Sequence, residues 1–209
     1  MRIVKKTYDW AGRVLDDANF AQTEFHEEVY FNGSMFRQGA DFKGAVFHQK
    51  VWFEACQFSR LADFTGAVFY DTVEFRDASF DDVSLRGATF YKDAWFRGSK
   101  FNASADLEKA LFHGEAGFGQ SVFGGKANFP LCLFEGNAGF DNAKFVDEAN
   151  FDNAVFIGKA WFDETIFNLP ASFNRARFEN GATFEGASFP EGTSPVAAQL
   201  SDLAARLTG

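Results

Sequence analysis

The three histidines are the side chains best suited to metal or acid–base chemistry, and the chain brings two of them together. His26, His48 and His113 each directly follow a phenylalanine. If the chain completes one coil about every 22 residues, His26 and His48 lie on neighbouring coils and His113 lies three coils further on. Imidazole is a common metal ligand, but two histidines alone do not complete a ligand set. We therefore predict no metal site, and at most adventitious binding at His26 and His48.

The two cysteines and the acidic pairs are predicted to be structural. Cys56 and Cys132 each lie two residues before a phenylalanine, where small residues recur, and the count places them on opposite sides several coils apart. A disulfide needs Cα atoms within about 7 Å, so both are predicted to be small buried residues. The acidic pairs are interpreted as solvated turn residues: Asp16-Asp17, Glu27-Glu28 and Asp147-Glu148. With no nucleophile beside a base and no phosphate-binding loop, we predict neither enzyme activity nor a bound cofactor.

A phenylalanine repeat must position all of these side chains. From Phe118 to Phe189 the phenylalanines alternate at steps of five and six residues, with a small residue two positions before each. Neither the 3.6-residue period of a helix nor the 2-residue period of a strand gives this spacing, whereas short repeated units indicate a solenoid. The series extends back to Val14 and contains 33 inward positions, 30 of them phenylalanine.

Four steps, two of five residues and two of six, give a coil of 22 residues and about eight coils in all. Coils about 4.8 Å apart make a rod of roughly 40 Å with four columns of stacked rings. One step is irregular, because Phe80 and Leu85 are five residues apart where the alternation requires six. We predict that one residue is missing from a corner at Asp81–Val83 and that the number of sides is unchanged.

Recurring triplets of a small residue, Asn or Asp, and a large apolar residue resemble the pentapeptide-repeat family. Six of them are Ala18-Asn19-Phe20, Ala40-Asp41-Phe42, Ala62-Asp63-Phe64, Ala105-Asp106-Leu107, Ala127-Asn128-Phe129 and Ala149-Asn150-Phe151. The resemblance implies an all-β fold, a right-handed quadrilateral parallel β-helix, here of about eight coils with a short C-terminal α-helix. The six-residue units depart from the family pattern, and we expect them to enlarge two of the four corner turns.

The ends of the chain are predicted to differ from the repeat. Residues 1–13 are interpreted as an N-terminal cap, residues 14–190 as the pentapeptide-repeat β-helix and residues 191–209 as a C-terminal capping or dimerisation helix. Ser194 followed by Pro195 suits an N-cap and a first helical residue, and the next residues place apolar side chains on one face. The predicted dimerisation residues are Leu200, Leu203 and Leu207.

The outward residues predict one polar side and two neighbouring apolar sides. The polar side carries Asn19, Asp41, Asp63, Ser84, Asp106, Asn128, Asn150 and Ser172, interpreted as hydrogen-bonding along the coil stack. The predicted partner-binding residues are Val46, Val68, Leu111, Leu133 and Val155 on one apolar side and Trp52, Trp95 and Trp161 around the next corner. A sheet face in water normally alternates to polar residues, so these two columns predict a docking surface for a protein partner or a second copy.

Charge restricts the remaining choices. A net charge of −9 and a pI of about 4.8 argue against direct binding to nucleic acid or an anionic membrane. No apolar run reaches the roughly 20 residues that a membrane span requires, and residues 1–13 lack the apolar core of a secretion signal. We therefore predict a cytoplasmic protein.

Two binding functions remain. We favour a non-catalytic protein-interaction or structural scaffold. The alternative, implied by the resemblance, is an acidic DNA mimic whose dimer binds DNA gyrase or topoisomerase IV and protects against quinolones or topoisomerase-directed toxins. Duplex DNA carries a charge about every 1.7 Å, so 40 Å of it holds roughly two dozen charges, many more than the net charge here.

Overall fold

The structure, a computed structural model, describes residues 8–190, which form a rod of four parallel sheets. Consecutive two-residue strands belong to sheets A, B, C and D in turn, so four strands complete one coil. Each strand pairs in parallel with the strand one coil away, as Val46–Phe47 does with Val68–Phe69. The predicted four-sided β-solenoid of about eight coils is confirmed. The predicted C-terminal helix, with Leu200, Leu203 and Leu207, lies outside the described residues.

The strands divide among the sheets as follows. Sheet A contains Tyr8–Asp9, Val29–Tyr30, Val51–Trp52, Val73–Glu74, Ala94–Trp95, Ala116–Gly117, Ala138–Gly139, Ala160–Trp161 and Ala182–Thr183. Sheet B contains Val14–Leu15, Met35–Phe36, Gln57–Phe58, Ser79–Phe80, Lys100–Phe101, Val122–Phe123, Lys144–Phe145 and Ile166–Phe167. Sheet C contains Ala18–Asn19, Ala40–Asp41, Ala62–Asp63, Val83–Ser84, Ala105–Asp106, Ala127–Asn128, Ala149–Asn150 and Ala171–Ser172. Sheet D contains Glu24–Phe25, Val46–Phe47, Val68–Phe69, Thr89–Phe90, Leu111–Phe112, Leu133–Phe134, Val155–Phe156 and Arg177–Phe178.

The core is made of phenylalanine rings stacked along the rod, as the repeat predicts. Ring centroids within a column are 4.5 Å apart for Phe36 and Phe58, and 5.3 Å apart for Phe80 and Phe101. Rings meet edge to face where sheet B adjoins sheet C, as Phe36 and Phe42 do at an interplanar angle of 74°, and where sheet D adjoins sheet A, as Phe47 and Phe53 do at 82°. This is the other arrangement that aromatic quadrupoles favour. Between Phe31 and Phe167, the small residue two positions before each inward side chain, such as Ala78 before Phe80, is itself buried and leaves room for the ring of the adjacent column.

The position of each strand relative to its phenylalanine explains why the steps alternate. After sheets A and C the chain makes a tight turn, in which the Phe129 carbonyl accepts the Cys132 amide at 3.3 Å and Leu131 has a φ of 59°. This is a type II turn, whose third residue needs a positive φ. After sheets B and D at most three residues separate consecutive strands, whereas four do so after sheets A and C. The expectation that the six-residue steps enlarge two corners is therefore wrong. Those steps are longer because the inward residue is the second strand residue in sheets B and D but follows the strand in sheets A and C.

The irregular step leaves the sheets intact. Val83 pairs with Ala62 on one side and with Ala105 on the other, so sheet C continues across the shortened corner. The missing residue is absorbed at Asp81 and Asp82, between sheets B and C. The prediction of a tolerated deletion at Asp81–Val83 is confirmed.

The first inward residue was predicted wrongly. Val14 is exposed and pairs with Met35, whereas Leu15 pairs with Phe36 and packs against the core. The coil begins earlier than the phenylalanine count shows, because Trp10 takes the inward place and stacks on Phe31 at 4.9 Å. The tryptophan hides this first unit from a pattern based on phenylalanine.

Small polar side chains in the wall of the core donate hydrogen bonds to backbone carbonyls. The buried Cys56 and Cys132 thiols donate to the carbonyls of Phe31 and Leu107, each at 2.9 Å, and Ser121 donates in the same way to Phe96. Burial raises the pKa of Cys56 to about 12 and raises the pKa of Cys132 as well. Both cysteines are therefore buried free thiols, as predicted.

Candidate partner-binding surface

The two predicted apolar columns lie on adjacent sheets and form one surface. Sheet D runs into sheet A through a three-residue corner, such as His48–Lys50 between Phe47 and Val51. We call the outer residues of sheets D and A and of this corner the D–A face. The predicted partner-binding residues are all half-buried on it: Val46, Val68, Leu111, Leu133, Val155, Trp52, Trp95 and Trp161. They shield one another along the rod, which leaves their outer edges accessible.

A column of stacked rings occupies the corner between the two sheets. His26, His48, Tyr70, Tyr91 and His113 stack at centroid distances of 4.5, 5.3, 4.9 and 4.9 Å in that order. Tyr70 and Tyr91 stand out from the face, with 46% and 44% of their surfaces exposed. The sequence places these residues in one column, but their continuity with the Val/Leu and Trp columns follows only from the corner geometry.

Glu24 lies beside the first two rings of this column. Its carboxylate and the ring nitrogens of His26 and His48 lie within 4.8 Å of one another, and they are the ligand atoms of a group that could hold a metal ion. The repeat alone does not associate Glu24 with the histidines, because Glu24 precedes its phenylalanine whereas His26 and His48 follow theirs.

A buried ionic group lies between Trp52 and Trp95 in the tryptophan column. Glu74 faces outward between Trp52 and Trp95, yet only 6% of its surface is exposed. Its carboxylate pairs with Lys50 at 2.9 Å and Arg76 at 3.3 Å. Those cations lie 5.0 Å from the Trp52 ring and 5.4 Å from the Trp95 ring, within cation–π range. The two indoles are thus held in place by charge as well as by packing.

A notch interrupts the column further along the rod. Gly117 and Gly139 lie between Trp95 and Trp161 and leave a cavity of about 130 Å³, rimmed by Arg97, Glu115, Asn137 and Asp141. A Cβ atom at Gly117 would lie 2.5 Å from Cε3 of Trp95, so the absence of a side chain there is what keeps the notch open. Its floor is backbone and its two walls are indoles.

The other two faces are different in character. On sheet C some polar side chains bond locally: Oδ1 of Asp41 accepts the Lys43 amide at 3.0 Å, and Asp63 accepts from Thr65 at 2.9 Å. The predicted bonding along the stack is wrong for Asp41 and Asp63, because each one caps its own turn. It does occur at Ser84, whose hydroxyl lies 2.8 Å from that of Thr65, and at Asp106, which accepts from Arg86 at 2.9 Å. Sheet B carries a polar groove of about 550 Å³ whose lining includes Gln57 and Lys100.

The acidic pairs make turn contacts. Oδ1 of Asp147 accepts the Glu148 amide at 2.7 Å, and Asp16 lies 3.9 Å from the Arg37 guanidinium. Glu28 accepts the Tyr30 hydroxyl at 2.6 Å, and this bond raises the pKa of Tyr30. Among residues 8–190, no helix has the length and apolar character needed to cross a membrane.

Comparison with known proteins agrees with the repeat. A family model described as pentapeptide repeats (9 copies) matches residues 53–100, 75–122, 96–143 and 118–166, which together span more than half of the chain. No curated protein matches. Among solved structures, trypsin-treated QnrB1, described as a plasmid-mediated fluoroquinolone resistance protein, is 19% identical over 97% of this chain and 96% of its own, with a TM-score of 0.33. Similarity at that level carries no argument about function. On the family match, the chain belongs to the pentapeptide-repeat family.

Proposed function

We propose that this protein is a non-catalytic protein-binding rod and that the D–A face docks its partner. The observation that carries the proposal is the continuous aliphatic and aromatic surface formed by two sheets and the ring column between them. A soluble monomer seldom exposes a contiguous apolar patch of this kind unless it is a binding site. By contrast, the outer residues of sheet C on the same rod are polar.

The dimensions suit a protein interface. Eight coils about 4.8 Å apart give a strip close to 40 Å long. Six residues separate Val46 from Trp52, which at about 3.3 Å per residue gives a width of up to roughly 20 Å. The product is about 800 Å², the area that each partner buries in an interface of standard size.

The notch indicates what the partner presents. Its two indole walls and backbone floor suit an aromatic side chain, and its charged and amide rim supplies hydrogen-bonding groups around that anchor. Buried aromatic anchors surrounded by a polar rim are typical of interface hot spots. We infer a protein partner that inserts an aromatic residue between Trp95 and Trp161.

Site-specific photo-cross-linking tests the proposal. A photoreactive phenylalanine analogue replaces Tyr91 on the D–A face, and the matched control carries it at Lys144 on sheet B. We expect one discrete adduct from position 91, either with another protein or with a second copy, whose yield falls when Leu111→Lys is added. Adducts of the same identity and yield from both positions, or none from position 91, would contradict the proposal.

The oligomeric state shows whether this surface or the C-terminal segment mediates self-association. Light scattering compares Val68→Lys/Leu111→Lys with Leu203→Asp/Leu207→Asp. If a dimer is lost only in the second variant, dimerisation belongs to the segment outside the described residues and the D–A face is left for another protein. If the first variant retains every assembly and every partner, the docking role of the face is refuted.

A second candidate is the acidic DNA mimic, favoured by one local feature. Asp141, Asp163 and Glu185 occur on consecutive coils just after sheet A, and no ion pair to these three is found among residues 8–190. Purified protein added to a gyrase supercoiling assay tests this candidate. Inhibition at stoichiometric concentration that weakens with salt and is lost in Asp141→Asn/Asp163→Asn would support it. Full supercoiling at a large molar excess would remove it.

A further inference from the structure

We propose that Glu24, His26 and His48 form a binding site for a single divalent transition-metal ion, with Zn²⁺ as the best match. This revises the expectation from the sequence, which considered the two histidines without the carboxylate. The proposal does not depend on the docking role of the D–A face.

The two distances from the carboxylate to the imidazoles match those around a shared ion. Oε2 of Glu24 lies 3.5 Å from Nε2 of His26 and 3.5 Å from Nε2 of His48. Two atoms bound tetrahedrally to one zinc, each at about 2.0–2.1 Å, lie about 3.3 Å apart. The carboxylate is therefore too far from either imidazole for a good hydrogen bond, but at the right separation to share an ion with both.

The same column contains a natural control. His113 approaches Glu135 directly, with Nδ1 2.7 Å from Oε2, which is an ordinary hydrogen bond or ion pair. The two clusters use the same residue types, stacked rings and corner of the fold. Only the first has a second imidazole, and only there is the carboxylate equidistant from two nitrogens.

One ligand nitrogen lacks a hydrogen-bond partner. Nε2 of His48 is buried and has no hydrogen bond within the described part of the chain. Stacking on Tyr70 at 5.3 Å holds its ring from one side. His26 stacks on the other side, and its side chain is 68% exposed, so that ring is free to tilt and bring its nitrogen toward the ion.

The donor set selects the class of metal. Two neutral imidazoles and one carboxylate suit Zn²⁺, Cu²⁺ or Ni²⁺, whereas Mg²⁺ and Ca²⁺ prefer oxygen ligands alone. Three protein ligands leave a fourth position for water. A site with two histidines and one glutamate is a known zinc arrangement in proteins.

Calorimetric titration with Zn²⁺ tests the site on tag-free, full-length protein stripped with a chelator, and Co²⁺ titration reports the coordination through its visible ligand-field bands. We expect one ion per chain and tetrahedral Co²⁺ bands. His26→Gln, His48→Gln and Glu24→Gln should each weaken binding by at least about tenfold, the smallest effect typical of losing even an outer-shell partner. His113→Gln should bind as the wild type does.

Circular dichroism checks that each variant folds. If His48→Gln unfolds, His26→Gln still tests the site, because the His26 side chain is exposed and its replacement does not disturb packing. Non-saturable binding, binding unaffected by His26→Gln, or an equal loss in His113→Gln would overturn the proposal.

Discussion

Removing one ring from the middle of a column should cost more than a typical core truncation. Phe140 is fully buried and stacks on Phe118 at 5.0 Å and on Phe162 at 4.9 Å. The edges of Phe129 and Phe151 meet it, each at 5.5 Å. A buried Phe→Ala change costs about 3–5 kcal/mol, and each aromatic pair adds about 0.5–1.5 kcal/mol beyond burial. Because Phe140 has four aromatic neighbours, we expect Phe140→Ala to lie at the upper end of the measured truncation range, at about 4–5 kcal/mol of unfolding free energy.

Two variants separate stacking from burial and position. Phe140→Leu keeps an apolar side chain but loses both stacked pairs, so about 1–3 kcal/mol should be lost. Phe184→Ala removes the last described ring of the same column, which is half-buried and stacks only on Phe162. Its cost should be about half that of Phe140→Ala, since less surface returns to water.

Urea unfolding followed by circular dichroism and tryptophan fluorescence provides the assay, because agreement of two probes tests whether one transition describes the rod. For a chain of this size each kcal/mol lowers Tm by about 2–4 °C, so Phe140→Ala should melt roughly 8–20 °C earlier. Equal losses in Phe140→Ala and Phe184→Ala would refute the account of the stacked core.

Three further outcomes follow from the structure. Leu131 is exposed and has a φ of 59°. Leu131→Gly should therefore raise the unfolding free energy by about 0.5–1 kcal/mol, because relief of the left-handed strain outweighs the added entropy of the unfolded chain. A lower unfolding free energy in urea would contradict this. Gly117→Val should displace Trp95 and abolish partner binding, whereas Gly139→Ala, whose Cβ meets its nearest atom at 3.3 Å, should change binding less. Stability should fall above about pH 8.5, where an unfolded thiol ionises while Cys56, with its pKa of about 12, stays protonated. Cys56→Ala should reduce that slope, and an unchanged slope would contradict the assignment.

The inward half of the sequence could be predicted almost completely, and the reason is geometric. Each phenylalanine takes one place in a column, so its position in the count determines its sheet, and Val83 shows that even a deletion does not disturb this. Trp10 and Leu15 escaped the pattern because an end coil tolerates other residues where the column has no further ring to stack on.

The outward half was predictable only in part. Nothing in the residue type marks Leu131 as a residue with positive φ, because the turn is imposed by the coils on both sides of it. The local bonds of Asp41 and Asp63 depend on turn geometry that a column count does not contain. Glu24 meets His26 and His48 only because a side chain from one position of the repeat reaches across to the next.

The most direct test of the docking surface places one lysine on each of the four faces. Leu111→Lys lies on sheet D, Trp161→Lys on sheet A, Ser79→Lys on sheet B and Asn128→Lys on sheet C. The measurement is the affinity of each variant for the protein captured through position 91. We predict a loss of at least about tenfold, or 1.4 kcal/mol, for the variants on sheets D and A, and little change for those on sheets B and C. Equal effects on all four faces, or a loss confined to sheets B and C, would contradict it.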